Sequence, residues 1–298
     1  MEGAGASARH GEEVMTAVSV EHASGKGSGD ENFPVGSLLI AKRLRPHVMA
    51  YYRFARNADD VGDAPDLSSA EKIRRLDRMG AVLDGAPGDD APSAVAMRKS
   101  LQETGIDPAH CHELLDAFRQ DAVKSRYADW QELLDYCRLS AAPVGRYLLD
   151  LHGESRDTWK ASDALCAALQ VINHLQDCGK DYREIDRVYL SQEWMAAEGS
   201  SVEDLAKPAC TPGMRRTLDR MVAATWPLVE EARNLPGGVR DRGLRAESAI
   251  IVSCADKLLT ALGRQDPLAR RVKLGAGEIA LSVAAGLLRE GLRPGKPK

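Results

Sequence analysis

Apolar positions recur with a period near 3.6 along almost the whole chain, and strict alternation never lasts more than a few residues, so helices are predicted throughout. Pro46 suits the first turn of a long helix running through Val48, Tyr52, Ala55 and Asp59 to about Asp63. Pro65 and residues 66–69 break the pattern, and Ser69 is placed to cap a helix carrying Ile73, Leu76, Met79 and Leu83. Gly85 to Pro92 reads as a loop. Asp107-Pro108 starts a helix through Leu114, Leu115 and Phe118 to about Tyr127. The next helix runs from Trp130 to about His152, with Pro143 inside it to kink or break it. Asp157 opens a long helix through Leu165, Leu169, Ile172 and Leu175 to about Tyr182. A less regular stretch with Trp194, Pro208 and Pro212 precedes three more helical segments, at roughly 213–233, 240–263 and 276–290. No repeat of 20–50 residues is visible. The prediction is one all-α domain over residues 31–292, between a flexible Gly/Ser/Ala-rich tail (1–30) and a short tail (293–298).

Composition narrows the function classes. The chain of 298 residues is long enough for a sizeable core. Its 40 Lys and Arg against 44 Asp and Glu exclude a generally basic nucleic-acid binder and a strongly acidic disordered chain. Aromatic residues at 5% argue against an aromatic-rich sandwich or propeller. The longest late apolar stretch, Ile279 to Leu288, is too short to span a bilayer. The N-terminus lacks the basic start and apolar core of a signal peptide, and Met15 stays open as an alternative start. Six cysteines with no C-x-x-C pair fit a reduced, cytoplasmic setting. His110-Cys111-His112 has the residue types of a metal cluster, but neighbours diverge on a helix and no second pair follows. It is read as an exposed helix start.

Two acidic clusters carry the candidate chemistry. In the first, Tyr52, Arg56, Asp59 and Asp63 fall within about 60° of arc at about 100° per residue, while Asp60 lies off this stripe. In the second, Gln170, Asn173, Asp177 and Asp181 fall within about 80°. The second stripe borders the apolar stripe of Leu165, Leu169 and Ile172, so it is expected to line a cavity. Carboxylates at i, i+4 repel, the more so when desolvated, and a cation removes that penalty. Mg²⁺ takes oxygen ligands, commonly one or two carboxylates plus waters and phosphate oxygens. Two clusters facing across a bundle are thus suited to several Mg²⁺ ions around a diphosphate. The first cluster alone is equally readable as a solvated helix face; the pair is less so, because Gln170 and Asn173 extend the second stripe over three turns.

These residues resemble the squalene/phytoene synthase family. Four segments carry the resemblance: Ala55 to Asp63, Tyr136 to Gly145, Gln170 to Asp177, and Asp181 with Arg183, Arg187, Tyr189 and Leu190. It spans roughly Glu31 to Arg264. Glu31-Asn32-Phe33-Pro34-Val35 and the Ser140 to Arg146 stretch are most similar to the bacterial, hydroxysqualene-forming branch of hopanoid and squalene pathways. The resemblance implies an isoprenoid-synthase helical bundle with a central cavity. It implies Mg²⁺-dependent ionisation of presqualene diphosphate, rearrangement, and capture by water, with a separate downstream reductase. It places Asp59, Asp63, Asp177 and Asp181, with Asp60 less firmly, among the metal ligands. Arg56 and Arg183, with Arg187 behind them, match diphosphate contacts, and Tyr52 lies on the same face. Tyr136 matches the tyrosine near the reacting carbons; Gln170 and Asn173 match polar groups of the cavity wall. Which of Tyr136, Gln170 and Asn173 places the water is left open.

The sequence departs from the family pattern at Gly62, where the helix is expected to loosen. It departs again at Ser191 and at Glu184-Ile185-Asp186, which puts the lid after the second motif in doubt. No G-x-G-x-x-G follows a strand, so no NADPH site is expected. Head-to-head joining of two farnesyl or geranylgeranyl diphosphates is the alternative activity, and a non-catalytic assembly factor is the alternative of another class. Residues 278–292 are amphipathic enough for peripheral membrane contact, though packing on the bundle is the simpler expectation.

Overall fold

The computed structural model describes residues 19–21 and 39–291. The expected tails, Met15 and the Glu31 to Val35 signature lie outside the described residues.

Helices dominate because each predicted stripe finds a partner. The first four are α1 (Arg45–Asp63), α2 (Ser69–Leu83), α3 (Pro92–Thr104) and α4 (Ala109–Asp121). Ser68, not Ser69, caps α2, accepting from the Glu71 N–H at 3.3 Å. The sequence reading passed over α3, whose amphipathicity is weak. Pro92 begins it and Gly105, at φ 71°, ends it in the left-handed conformation that glycine adopts without penalty. The α4 helix stops at Asp121, short of the expected Tyr127. Arg126–Tyr127 is instead a short strand, β1.

Then come α5 (Trp130–Ser140) and α6 (Ala142–Leu151), two helices where one kinked helix was expected. Ala141 sits between them with non-helical dihedrals, and Pro143 occupies the first turn of α6, where its missing N–H has no helical partner to lose. A 3₁₀ turn leads into α7 (Trp159–Ile185), the longest helix among the described residues, which carries the second acidic cluster. It ends at Asp186 with φ 52°, the left-handed position where a glycine is usual. The segment after the second motif is a strand, β2 (Val188–Ser191), which pairs in parallel with β1. Ser191 then caps α8 (Gln192–Ala197), accepting from the Trp194 N–H at 3.2 Å. The chain closes with α9 (Pro212–Ala232), α10 (Leu235–Gly238), α11 (Arg242–Leu262) and α12 (Ala276–Gly291).

The core divides into two clusters. One forms where α7 packs on α5, α9 and α11, around Leu133, Ile172, Leu175 and Leu259. The other forms under α1 to α4, around Phe54, Leu76, Met97 and Leu115. The α6 helix joins them, giving Leu149 to the first and Tyr147 and Leu151 to the second. Two local expectations change. The α1 helix does not loosen at Gly62, because its carbonyl accepts from Lys72 and Arg187, each at 2.9 Å. The His110-Cys111-His112 stretch is not an exposed start. His110 and Cys111 are buried, His110 pairs with Asp150 at 2.9 Å, and only His112 turns outward, to Asp84. All six cysteines are free. Among the described residues no helix is long and apolar enough to cross a membrane.

Candidate active site

A cavity of about 320 Å³ opens between α1, α5, α6, α7 and α11. Its wall is mostly aliphatic: Val48 and Ala55 from α1, Leu165 and Leu169 from α7, Leu244 and Ile251 from α11. The helical period explains the polar additions. Tyr52, Arg56 and Asp59 share a stripe of α1 and line the cavity, and Gln170 and Asn173 do so from α7. A hydrocarbon-lined space with an acid and an arginine at one end suits an amphiphile with a long apolar tail and a charged head.

Of the five candidate aspartates only Asp59 lines the cavity; Asp60, Asp63, Asp177 and Asp181 do not, and four of the five pair with arginine counter-charges. Arg56 reaches Asp59 at 3.2 Å and Asp60 at 2.9 Å. Asp60 thus turns away from the cavity into a buried pair, in keeping with its place off the stripe. Arg187 is paired with Asp63, and Arg271 holds Asp177 at 2.6 Å. Desolvation, with Asp63 close by, pushes the Asp59 carboxyl up to about 8. Desolvation, then Asp177 and Asp63, push Asp181 up to about 7. Asp63 of α1 is near enough to Asp181 of α7 to act on it electrostatically.

The donor set is all carboxylate oxygen, the chemistry that Mg²⁺ selects. Among the described residues, however, no three His, Cys, Asp or Glu side chains are close enough to enclose an ion. The clusters therefore fit Mg²⁺ only as sites that water and a ligand's phosphate oxygens complete.

Three expected site residues sit differently. Arg187 is buried and does not line the cavity. Besides Asp63 it donates to the Gly62 carbonyl at 2.9 Å and the Asp121 carbonyl at 3.2 Å, so it ties the ends of α1 and α4 to β2. Arg183 points to the Leu205 carbonyl at 3.3 Å, on the exposed side of α7. Tyr136 is buried rather than on the cavity wall, and its hydroxyl donates to Asp121 at 2.7 Å.

Two participants escaped the sequence reading. Asp121 gives no signal of its own, standing alone at a helix end. It is buried, and desolvation pushes it up to about 6 against the lowering pull of Arg187 and the Tyr136 hydrogen bond. Arg271 comes from the connection between α11 and α12, 94 residues from Asp177 in sequence. That connection is pinned by Gln176, which donates to the Val272 carbonyl at 2.6 Å, and by Asp266, which accepts from the Cys210 N–H at 2.7 Å.

Comparison with known proteins agrees with this architecture. The squalene/phytoene synthase family model matches residues 27–278. A hydroxysqualene synthase of Rhodopseudomonas palustris is 44% identical over 94% of this chain and 95% of its own. One from Zymomonas mobilis is 42% identical over 97% and 99%. A solved squalene synthase from Alicyclobacillus acidocaldarius, 32% identical, superposes with a TM-score of 0.70 over 78% of this chain and 88% of its own. A solved dehydrosqualene synthase, 21% identical, shares the fold with a TM-score of 0.73 over 89% and 93%. A match this long, on a helical bundle around an aliphatic cavity, makes the chain a member of the squalene/phytoene synthase family.

Proposed function

We propose that the protein is an enzyme that ionises presqualene diphosphate and lets water capture the rearranged cation, giving hydroxysqualene and diphosphate. The observation that carries this reading is the aliphatic cavity with Arg56 and Asp59 on its wall, and with Gln170 and Asn173 of the second stripe facing into it. The long identity to hydroxysqualene synthases supports the choice of substrate.

Departure of a diphosphate leaves a carbocation beside a multiply charged anion, so the site must neutralise the anion and keep stray nucleophiles from the cation. Mg²⁺ held by Asp59 and Asp63 on one side and Asp177 and Asp181 on the other would supply charge neutralisation. Arg56 stands on the cavity wall to bind the same anion, and Arg271, with Arg183 further out on α7, lies at the second cluster. Leu165, Leu169 and Ile251 exclude bulk water from the hydrocarbon tail. Gln170 and Asn173 are the polar groups on that wall nearest the second cluster in sequence. A separate reductase would consume the hydroxylated product. We assign the reaction to the cytoplasm, with at most peripheral membrane contact.

The test is incubation of the purified chain with Mg²⁺ and, separately, presqualene, farnesyl and geranylgeranyl diphosphates, followed by extraction and mass spectrometry. Hydroxysqualene from presqualene diphosphate is expected. Turnover of farnesyl or geranylgeranyl diphosphate but not presqualene diphosphate would assign the chain to head-to-head joining instead. Unchanged product formation by Asp59→Ala and Asp177→Ala would remove the metal roles.

A further inference from the structure

The last helix, α12, carries its polarity reversed. No charged residue stands between Glu278 and Arg289. The one polar side chain in that interval, Ser282, is fully buried and accepts from Lys257 Nζ of α11 at 2.7 Å. Lys257 also donates to the Glu278 carbonyl at 2.8 Å. One turn on, Gly286 lies so close to α11 that a methyl there would stand 2.6 Å from Ile250 Cγ1. Ser282 and Gly286 thus mark the packed face. On the other side Ala280, Leu281 and Ala284 fall within about 100° of arc and are exposed, Leu281 at 65%. Ile279 and Val283 edge this patch, exposed at 42% and 36%. A helix bounded by water turns its polar residues outward, and an apolar face left outside marks an interaction surface.

We propose that the outer face of α12 docks the protein on an anionic lipid surface, with the helix lying in the plane of the interface. Charge selects this occupant. Arg270, Arg271 and Lys273 precede the helix and are all exposed. In sequence, Arg289, Arg293, Lys296 and Lys298 follow it, with Glu290 the one acid among them. An apolar face bounded by cations at both ends sinks into acyl chains while its ends meet lipid phosphates. A second copy of the chain on the same face would bring cations against cations in either orientation. The placement also suits the cavity. The α11 helix gives Leu244 and Ile251 to the cavity wall and packs α12 on its far side, so one helix separates the docking face from the cavity. Arg271 of the basic segment holds Asp177 at 2.6 Å, so that segment borders the second aspartate cluster. The link to catalysis rests on the reaction proposed above, whose hydrocarbon substrate is stored in lipid.

The test is sedimentation of the full chain with vesicles, either equimolar phosphatidylglycerol and phosphatidylcholine or phosphatidylcholine alone. Wild type is expected to bind the anionic vesicles at least tenfold more tightly than the neutral ones, and to leave them at high salt. Leu281→Glu should melt with wild type, because the side chain stands outside the core, and should bind at least tenfold more weakly. The double variant Arg270→Gln, Lys273→Gln should lose about 25-fold, at about fivefold per basic residue near a charged surface. A wild-type chain that stays in the supernatant, equal binding to both vesicles, or Leu281→Glu binding like wild type overturns the proposal. So does a wild-type dimer in sedimentation velocity that Leu281→Glu dissolves, which would give the face to a second copy. Binding is read without substrate, so its result stands whatever the turnover assay returns.

Discussion

Asp59→Asn separates the site's function from the fold's stability, and the structure sets the size of the effect. In the folded chain desolvation and the nearby Asp63 hold the Asp59 carboxyl at about 8, against an ordinary value of 3.8. A carboxyl held that high destabilises the folded state once ionised. The folded chain binds more protons than the unfolded one between about pH 4 and pH 8, so stability falls as pH rises through that window. Full desolvation would put the cost near ~6 kcal/mol at ~1.4 kcal/mol per tenfold change in proton affinity. A third of the side chain (34%) still reaches solvent, and screening brings the figure to ~2 kcal/mol. Asparagine removes that cost and leaves Arg56 its partner Asp60 at 2.9 Å. At pH 9 the variant should therefore melt about 4–8 °C higher than wild type, given ~2–4 °C per kcal/mol for a domain of this size. The gap should close as pH is lowered toward 4. Mg²⁺ with inorganic diphosphate at about 100 times Kd should stabilise wild type by ~2.7 kcal/mol and the variant far less, with turnover lost. Calorimetric melts at the two pH values decide the matter. A variant that melts no higher than wild type at pH 9, or a gap indifferent to pH, refutes the reasoning.

Three further outcomes are expected. Arg187→Ala strips the buried counter-charge from Asp63 and two bonds from the ends of α1 and α4, and should cost ~3–5 kcal/mol by denaturant titration. Gly145→Ala would set a methyl 2.3 Å from Ser162 Oγ and 2.7 Å from Cys166 Sγ. A loss of ~1–3 kcal/mol is expected, and a melting point at or above wild type would show that the α6–α7 contact can open. Ile172→Ala, at a fully buried position of α7, should cost ~2–5 kcal/mol with the m-value unchanged.

The helical stripes were legible because each is written in consecutive turns. Tyr52, Arg56 and Asp59 recur at the helical period, and so do Gln170, Asn173 and Asp177, so local geometry alone puts each set on one face. Helix edges were read less well. Pro143 pointed to a break, but whether one kinked helix or two resulted depended on how Ala141 packs. The α3 helix and the β1–β2 pair left no clear trace, since one has weak amphipathicity and the other is two strands of at most four residues.

The sequence by itself determined the fold class, the two aspartate stripes and the aliphatic character of the wall between them. These follow from periodicity, which needs no knowledge of distant contacts. Only the tertiary structure decided where each counter-charge goes. Arg271 meets Asp177 across 94 residues, Arg187 meets Asp63 across 124, and Asp121 receives the Tyr136 hydroxyl across the connection through β1 that joins α4 to α5. A buried charge or hydroxyl takes the partner that packing brings within hydrogen-bond reach, and residue spacing does not encode that reach.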